Sequence, residues 1–268
     1  GGAQALPELT PDGDVVAPSA ISLKSFGQQK EHDAREMTAE EIEQTIRDFG
    51  EATRRAIEAG FDGVEIHGAN HYLIHQFVSP YYNRRNDVWA DNYKFPVAVI
   101  DEVVKAKKAH AYDDFIIGYR LSPEEAESPG ISMEITEELI HQIANKPLDY
   151  IHVSLMDVNS VTREGKYKGE NRLELIHQWI NGRMPLIGIG SVFTAEDALN
   201  AVENIGVEFV ALGCEILLDY DFVAKIKEGR EDEIINAFDP NREDQHYLTP
   251  NLWEQFNQGF YPLPRKDK

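Results

Sequence analysis

Five short apolar runs, set apart by stretches of helical period, constrain this chain more than any other feature. They occupy residues 63–67, 115–120, 149–154, 185–190 and 207–212. Each is rich in β-branched residues, short, and bounded by turn formers, so each is expected to be a strand. The intervening segments carry the other period. Thr38 followed by Glu41 is a capping box, Ile42, Ile46, Phe49, Thr53, Ala56 and Ile57 then recur at helical spacing, and Gly60 closes the helix. Further helices are expected near 96–108, 135–144, 172–180, 195–203 (capped by Thr194) and 222–227. Apolar strands alternating with helices mean a parallel sheet covered on both faces. A doubly wound sheet and a section of a (β/α)8 barrel both fit, and periodicity does not choose between them. In either, chemistry sits at the carboxyl ends of the strands.

The flanks read differently. Residues 1–37 show no lasting period and are punctuated by Pro7, Pro11, Gly13, Pro18 and Gly27, so a loop is expected there. The tail, 236–268, holds Trp253, Phe256, Phe260 and Tyr261, which are expected to pack on the barrel or on a second copy in a homo-oligomer.

Charge removes some partners. The formal net charge of -21 disfavours nucleic acid and anionic membrane. No apolar run approaches the roughly 20 residues that span a bilayer. Cys214 is the one cysteine, which rules out an intrachain disulfide and fits a reducing compartment, the cytoplasm.

The strand ends hold the candidate chemistry. After the first run come His67, Asn70 and Tyr72. Histidine and asparagine can donate to a carbonyl oxygen and a phenol can give up a proton; the plain alternative is a capped strand end with Tyr72 in the core. After the second run comes Arg120, a fixed forked cation suited to an anionic or electron-rich ligand, or to a salt bridge with Glu124, Glu125 or Glu127. After the fourth and fifth come Gly190-Ser191 and Gly213-Cys214. Glycine-freed amides near a helix start can cradle phosphate, although tight turns need glycine anyway.

The string from Ala59 to Asn70, continued by Tyr72-Leu73 and residues 76–80, resembles the signature of the Old Yellow Enzyme family of FMN-dependent NADH:flavin oxidoreductases. Asn83, Arg85, Asp87 and Trp89 follow at that family's spacing, and Arg120-Leu121-Ser122-Pro123 matches a second motif. The resemblance implies a TIM (β/α)8 barrel of the FMN-linked oxidoreductase type, with strands 4 to 8 in this chain. Residues 1–37 would follow strand 3, 38–235 would hold strands 4 to 8 with their helices, and 236–268 would be the tail.

It also implies roles. NADH or NADPH would reduce FMN, which in turn reduces an activated alkene such as an enone or nitroalkene. His67 and Asn70 match the pair that hydrogen-bonds the substrate oxygen, and Tyr72 the proton donor. Arg120 matches the cation beside the flavin, and Gly190, Ser191, Gly213 and Cys214 occupy the phosphate loops. Cys214 stands where the family has arginine. Gly1-Gly2 looks like the tail of the motif after strand 3, so the earlier strands are expected in a longer protein. A barrel fragment that does not hold FMN alone is the alternative. A dienoyl-CoA reductase-like enzyme would need a cysteine cluster, and only Cys214 is present.

Overall fold

The computed structural model describes residues 2–24, 31–110, 112–246, 248–261 and 263–266. Gly1 and Gly27, both used in the sequence reading, lie outside them. The chain divides into two compact units, 1–154 with 161–186, and 155–160 with 187–268.

The first unit opens where a loop was expected, and there the reading needs correcting. Three short strands form: β1 (Val16–Ala17), β2 (Ile21–Leu23) and β3 (His32–Glu36). β3 is central, parallel to β1 and antiparallel to β2. Their alternation is too brief to register as a period, and β3 reads His-Asp-Ala-Arg-Glu, with one buried side chain, Ala34. Ala3, Val15, Ala17, Ala34 and Tyr82 make the small core beneath.

α1 (Ala39–Glu58) starts at Thr38 with both halves of the capping box formed, Glu41 N to Thr38 Oγ1 at 3.2 Å and Thr38 N to Glu41 Oε2 at 2.8 Å. β4 (Gly63–Gly68), α2 (Leu73–Val78), α3 (Lys94–Ala109), β5 (Ile116–Leu121), α4 (Met133–Ile143), β6 (Tyr150–Ser154) and α5 (Arg172–Ile180) follow. β4, β5 and β6 are parallel neighbours in chain order. Ile66, Ile117, Tyr119, Leu121, Ile151 and Val153 are buried, as strands covered by helices require.

The second unit holds β7 (Leu186–Ile189, from Ile187 on), α6 (Ala195–Asn200), β8 (Phe209–Ala211), α7 (Cys214–Leu218), α8 (Phe222–Lys227) and α9 (Pro250–Asn257). β7 and β8 are parallel. The helix expected over 195–203 changes character at Ala201, where a π-helical turn runs to Ile205 and Gly206 ends it at φ 89. Leu218, Phe238, Phe256 and Leu263 form this unit's core, with Trp253 and Tyr261 against it; Phe260 stays exposed. Among the described residues no helix is long and apolar enough to cross a membrane.

Candidate active site

Each unit carries its own cluster at its strand ends. In the first, register places His67 beside Arg120 and Arg120 beside His152. The two-residue period of strands then puts Glu65 and His67, Gly118 and Arg120, and Tyr150, His152 and Ser154 on one face.

The deeper part of this face is built on Glu65. Its Oε2 accepts from Tyr150 Oη at 3.1 Å and from His152 Nδ1 at 3.0 Å. Tyr150 reaches it across β5 at Gly118, where a Cβ would stand 2.1 Å from the tyrosine ring. Burial opposes the Glu65 charge, but the bonds from His152 and Tyr150 and the nearby Arg120 bring its pKa below the usual carboxylate value.

Nearer the strand ends lie the residues singled out by sequence. His67 Nδ1 accepts from the Ala69 amide at 3.2 Å, so the neutral ring carries its proton on Nε2. Burial, and then the Arg120 charge, lower the His67 pKa and keep the ring neutral. Asn70 and His71 adopt left-handed backbone, at φ 57 and 58, which turns the chain sharply off β4. The Asn70 amide donates to Ser122 Oγ at 3.0 Å. Asn70 Oδ1 accepts from Ser122 Oγ and from Ser154 Oγ, both at 3.2 Å. Arg120 Nη2 donates to Ser154 Oγ at 2.8 Å, while its buried Nε has no hydrogen-bond partner among the described residues. Tyr72, 45% exposed, stands edge-on to His67 with ring centroids 5.2 Å apart. His67, Asn70, Tyr72 and Arg120 therefore share one strand end.

Two neighbouring motifs are scaffold. Arg85 is almost wholly buried; its Nη1 donates to the carbonyls of Pro18 and Met37, at 2.7 and 2.8 Å, and its other edge grips Asp87. His75 Nε2 meets Glu125 Oε2 at 2.7 Å, and Ser79 Oγ and the Ile131 amide hold Oε1. With His71 these groups gather three ligand-type atoms within 4.8 Å of one another. The direct His75–Glu125 bond makes the cluster a clamp on α2.

In the second unit, a cavity of about 140 Å³ is lined by Met156, Ser191, Phe193, Gly213, Cys214 and Glu215, among others. Gly190 sits at φ 133, and a Cβ there would stand 2.5 Å from the Asp157 amide nitrogen, so local packing dictates this glycine. Ser191 donates its hydroxyl to the Met156 carbonyl at 2.7 Å, which leaves its backbone amide as the donor it can offer. Gly213 differs. Its φ is -121, and a Cβ would meet nothing nearer than Ile189 Cδ1 at 3.9 Å. Packing does not require glycine there, although ψ -80 places its backbone outside the helical and extended regions; its missing side chain leaves open space beside the cavity.

Among the described residues no lysine or arginine lines this cavity. Burial raises the Cys214 thiol pKa, so the group in the expected arginine position is neutral. The two amides just before α6 are taken, since Phe193 N and Thr194 N donate to Asp197 Oδ2 at 3.0 and 2.9 Å, and within the helix Asp197 N donates to Thr194 Oγ1 at 3.1 Å. Glu215 is 1% exposed, and neither of its oxygens has a hydrogen-bond partner among the described residues. Burial, then the Asp219 charge, push its carboxyl up to about 8.

Sequence reasoning missed Glu65, His152, Ser154 and Glu215, and quoted Ser122 only as part of a string. Stepping back by two from His67 along β4 would have flagged Glu65, whereas His152 is found only once β6 is known to lie beside Arg120. An isolated serine at a strand end gives no such signal.

The NADH:flavin oxidoreductase / NADH oxidase family profile matches residues 1–233. The chain is 46% identical over 268 residues to the probable NADH-dependent flavin oxidoreductase YqiG of Bacillus subtilis, covering 98% of this chain and 70% of that protein. It is 38% identical over 263 residues to the NADH:fumarate oxidoreductase of Klebsiella pneumoniae, covering 94% of this chain but only 28% of that one. Among solved structures, morphinone reductase in complex with tetrahydroNAD superposes with a TM-score of 0.67 at 24% identity, over 85% of this chain and 64% of that chain. That likeness shows the FMN-linked barrel fold expected from the sequence.

Proposed function

Because the chain belongs to the NADH:flavin oxidoreductase / NADH oxidase family, we propose that it carries the substrate-side chemistry of an FMN-dependent ene reductase acting on activated alkenes. FMN with NADH or NADPH is the cofactor system of this family of oxidoreductases. When bound, the flavin would supply the reducing equivalents.

The residues fit such a group on two counts. Arg120 presents a buried Nε donor with no partner among the described residues, next to the catalytic strand end. Gly213 leaves open space beside the glycine loop. Arg120 would hold the electron-rich edge of the ring and stabilise negative charge on it. Gly190, Ser191, Gly213 and Cys214 would offer the phosphate backbone amides alone.

One observation carries the substrate reading. The Ala69 amide occupies His67 Nδ1, and two serine hydroxyls occupy Asn70 Oδ1. His67 Nε2–H and Asn70 Nδ2–H are thereby turned outward as two N–H donors. Both can grip one carbonyl or nitro oxygen and draw electron density from the conjugated alkene. Tyr72 would give its phenolic proton to Cα once hydride reaches Cβ. The Klebsiella relative is named for fumarate, itself an electron-poor alkene. A chain of net charge -21 with one cysteine suits the cytoplasm and a small-molecule partner rather than nucleic acid or membrane.

Tyr72→Phe tests this reading. Turnover of cyclohexenone should fall on the order of 10²-fold, while NADH still bleaches the flavin at the wild-type rate. Unchanged cyclohexenone turnover would remove Tyr72 as the proton donor. The second reading, a barrel section that does not retain FMN alone, is favoured by the cation-free cavity and buried Glu215. A yellow purified chain bleached by NAD(P)H supports the enzyme; a colourless one supports the section.

A further inference from the structure

Ser154 stands at the centre of the first unit's cluster, yet no motif includes it. It is the residue through which Arg120 and Asn70 meet. Arginine can only donate, so the 2.8 Å contact from Arg120 Nη2 uses a lone pair of Ser154 Oγ. The serine's own hydrogen is left for Asn70 Oδ1, 3.2 Å away. Ser122 works the same way from the other side, accepting from the Asn70 amide and donating to Asn70 Oδ1. The carboxamide is thus oriented by two hydroxyl hydrogens. Turned over, it would present its carbonyl to the open side, where a substrate oxygen would be repelled. Two donors on Oδ1 also polarise the amide and strengthen its outward N–H groups.

We propose that Ser154 is a positioning residue that couples the Arg120 guanidinium to the Asn70 carboxamide and holds Asn70 Nδ2 toward the substrate oxygen, with Ser122 as a second support acting on Asn70 alone. The roles of Arg120 and Asn70 in this inference rest on the function proposed above. The two serines differ in a way that can be measured. Ser122 hydrogen-bonds Asn70, whereas the Arg120 guanidinium donates to Ser154, so loss of Ser122 bears on the substrate side only. Loss of Ser154 bears on both sides.

Three variants separate these cases: Ser154→Ala, Ser154→Thr, which keeps the hydroxyl, and Ser122→Ala. The first measurement needs no flavin. High-resolution crystal structures of the ligand-free chains should show the Asn70 carboxamide reversed, or drawn away from the Arg120 head, in Ser154→Ala and restored in Ser154→Thr. An Asn70 carboxamide that keeps its wild-type place and bonds in Ser154→Ala overturns the proposal.

The second measurement uses FMN-loaded protein and cyclohexanone, a ketone without the reducible alkene, titrated by flavin absorbance. Ser154→Ala should weaken cyclohexanone about tenfold and weaken FMN several-fold, Ser154→Thr should restore both, and Ser122→Ala should weaken cyclohexanone alone. With cyclohexenone as substrate, Ser154→Ala should raise KM more than it lowers kcat. Equal effects of Ser154→Ala and Ser122→Ala on FMN affinity overturn the coupling. If wild-type chain takes up no FMN, the functional reading fails, and the ligand-free structures still decide the role of Ser154.

Discussion

The strand ends of the first unit and the cavity of the second solve opposite problems. In the first, nearly every polar group is answered by another side chain: Glu65 by Tyr150 and His152, Asn70 by two serines, Arg120 by Ser154. What remains unanswered there, among the described residues, is the donor Arg120 Nε, the outward faces of His67 and Asn70, and deeper down the ring nitrogen Nε2 of His152. In the second, backbone does the work and the unanswered groups are the two oxygens of a buried acid, Glu215. One cluster is preset to receive electron density. The other offers room and amides but no cation, and its acid opposes an anion whenever it ionises. Strong chemistry and weak anchoring can therefore coexist in one chain.

Three substitutions test that contrast. The largest effect is expected from Arg120→Met, which removes the fixed cation from the networked cluster. Alkene turnover should drop on the order of 10²–10³-fold, as when a preorganised donor to developing charge is lost; steady-state kinetics with cyclohexenone checks this. A loss below tenfold would mean that the network does not depend on its cation.

Next comes Glu215→Gln. The folded carboxyl titrates at about 8, above the ordinary glutamate value of 4.5. Between those values the unfolded chain binds fewer protons than the folded one, so stability falls as pH rises. The amide does not ionise, so the variant should gain on wild type across this window. The gain should be on the order of 3 kcal/mol at pH 7 and nearly vanish by pH 4.5. Urea unfolding at both pH values measures it, and a pH-independent difference would show that the acid is not held neutral.

The smallest effect is expected from Cys214→Arg. Restoring a cation to the cation-free cavity should tighten FMN about tenfold, read by fluorescence quenching. No tightening would mean that the arginine position of the family has lost its geometry as well as its charge.

Much of this was legible in advance. The capping box at Thr38 forms as written, and Thr194 caps α6 as expected with a box to Asp197 besides, because these partners sit three residues apart and need no tertiary help. The five apolar strands appear within a few residues of their expected places. The family block around His67 rests on side-chain identities, which a sequence shows directly. What escaped depends on distance along the chain. β3 looks polar because only Ala34 faces inward. α2 and α7 are short, and their first residues read as loop motifs. Ser154 gains meaning only because β6 lies beside β5 and its hydroxyl falls between Arg120 and Asn70. The neutral state of Glu215 follows from burial, which no local pattern encodes.

Gly118 is where two strands that are not neighbours interact. Because β5 has no side chain at that point, Tyr150 lies across it to reach Glu65. The three positions are consequently one unit of inheritance. A methyl group at 118 would displace the tyrosine, strip a hydrogen bond from the acid, and disturb the charge balance beneath Arg120, although residue 118 itself touches no reactant. Lineages of this barrel should therefore exchange Gly118 and Tyr150 together. A deep mutational scan should find Gly118→Ala harmful beside Tyr150 and far better tolerated once Tyr150 has been trimmed.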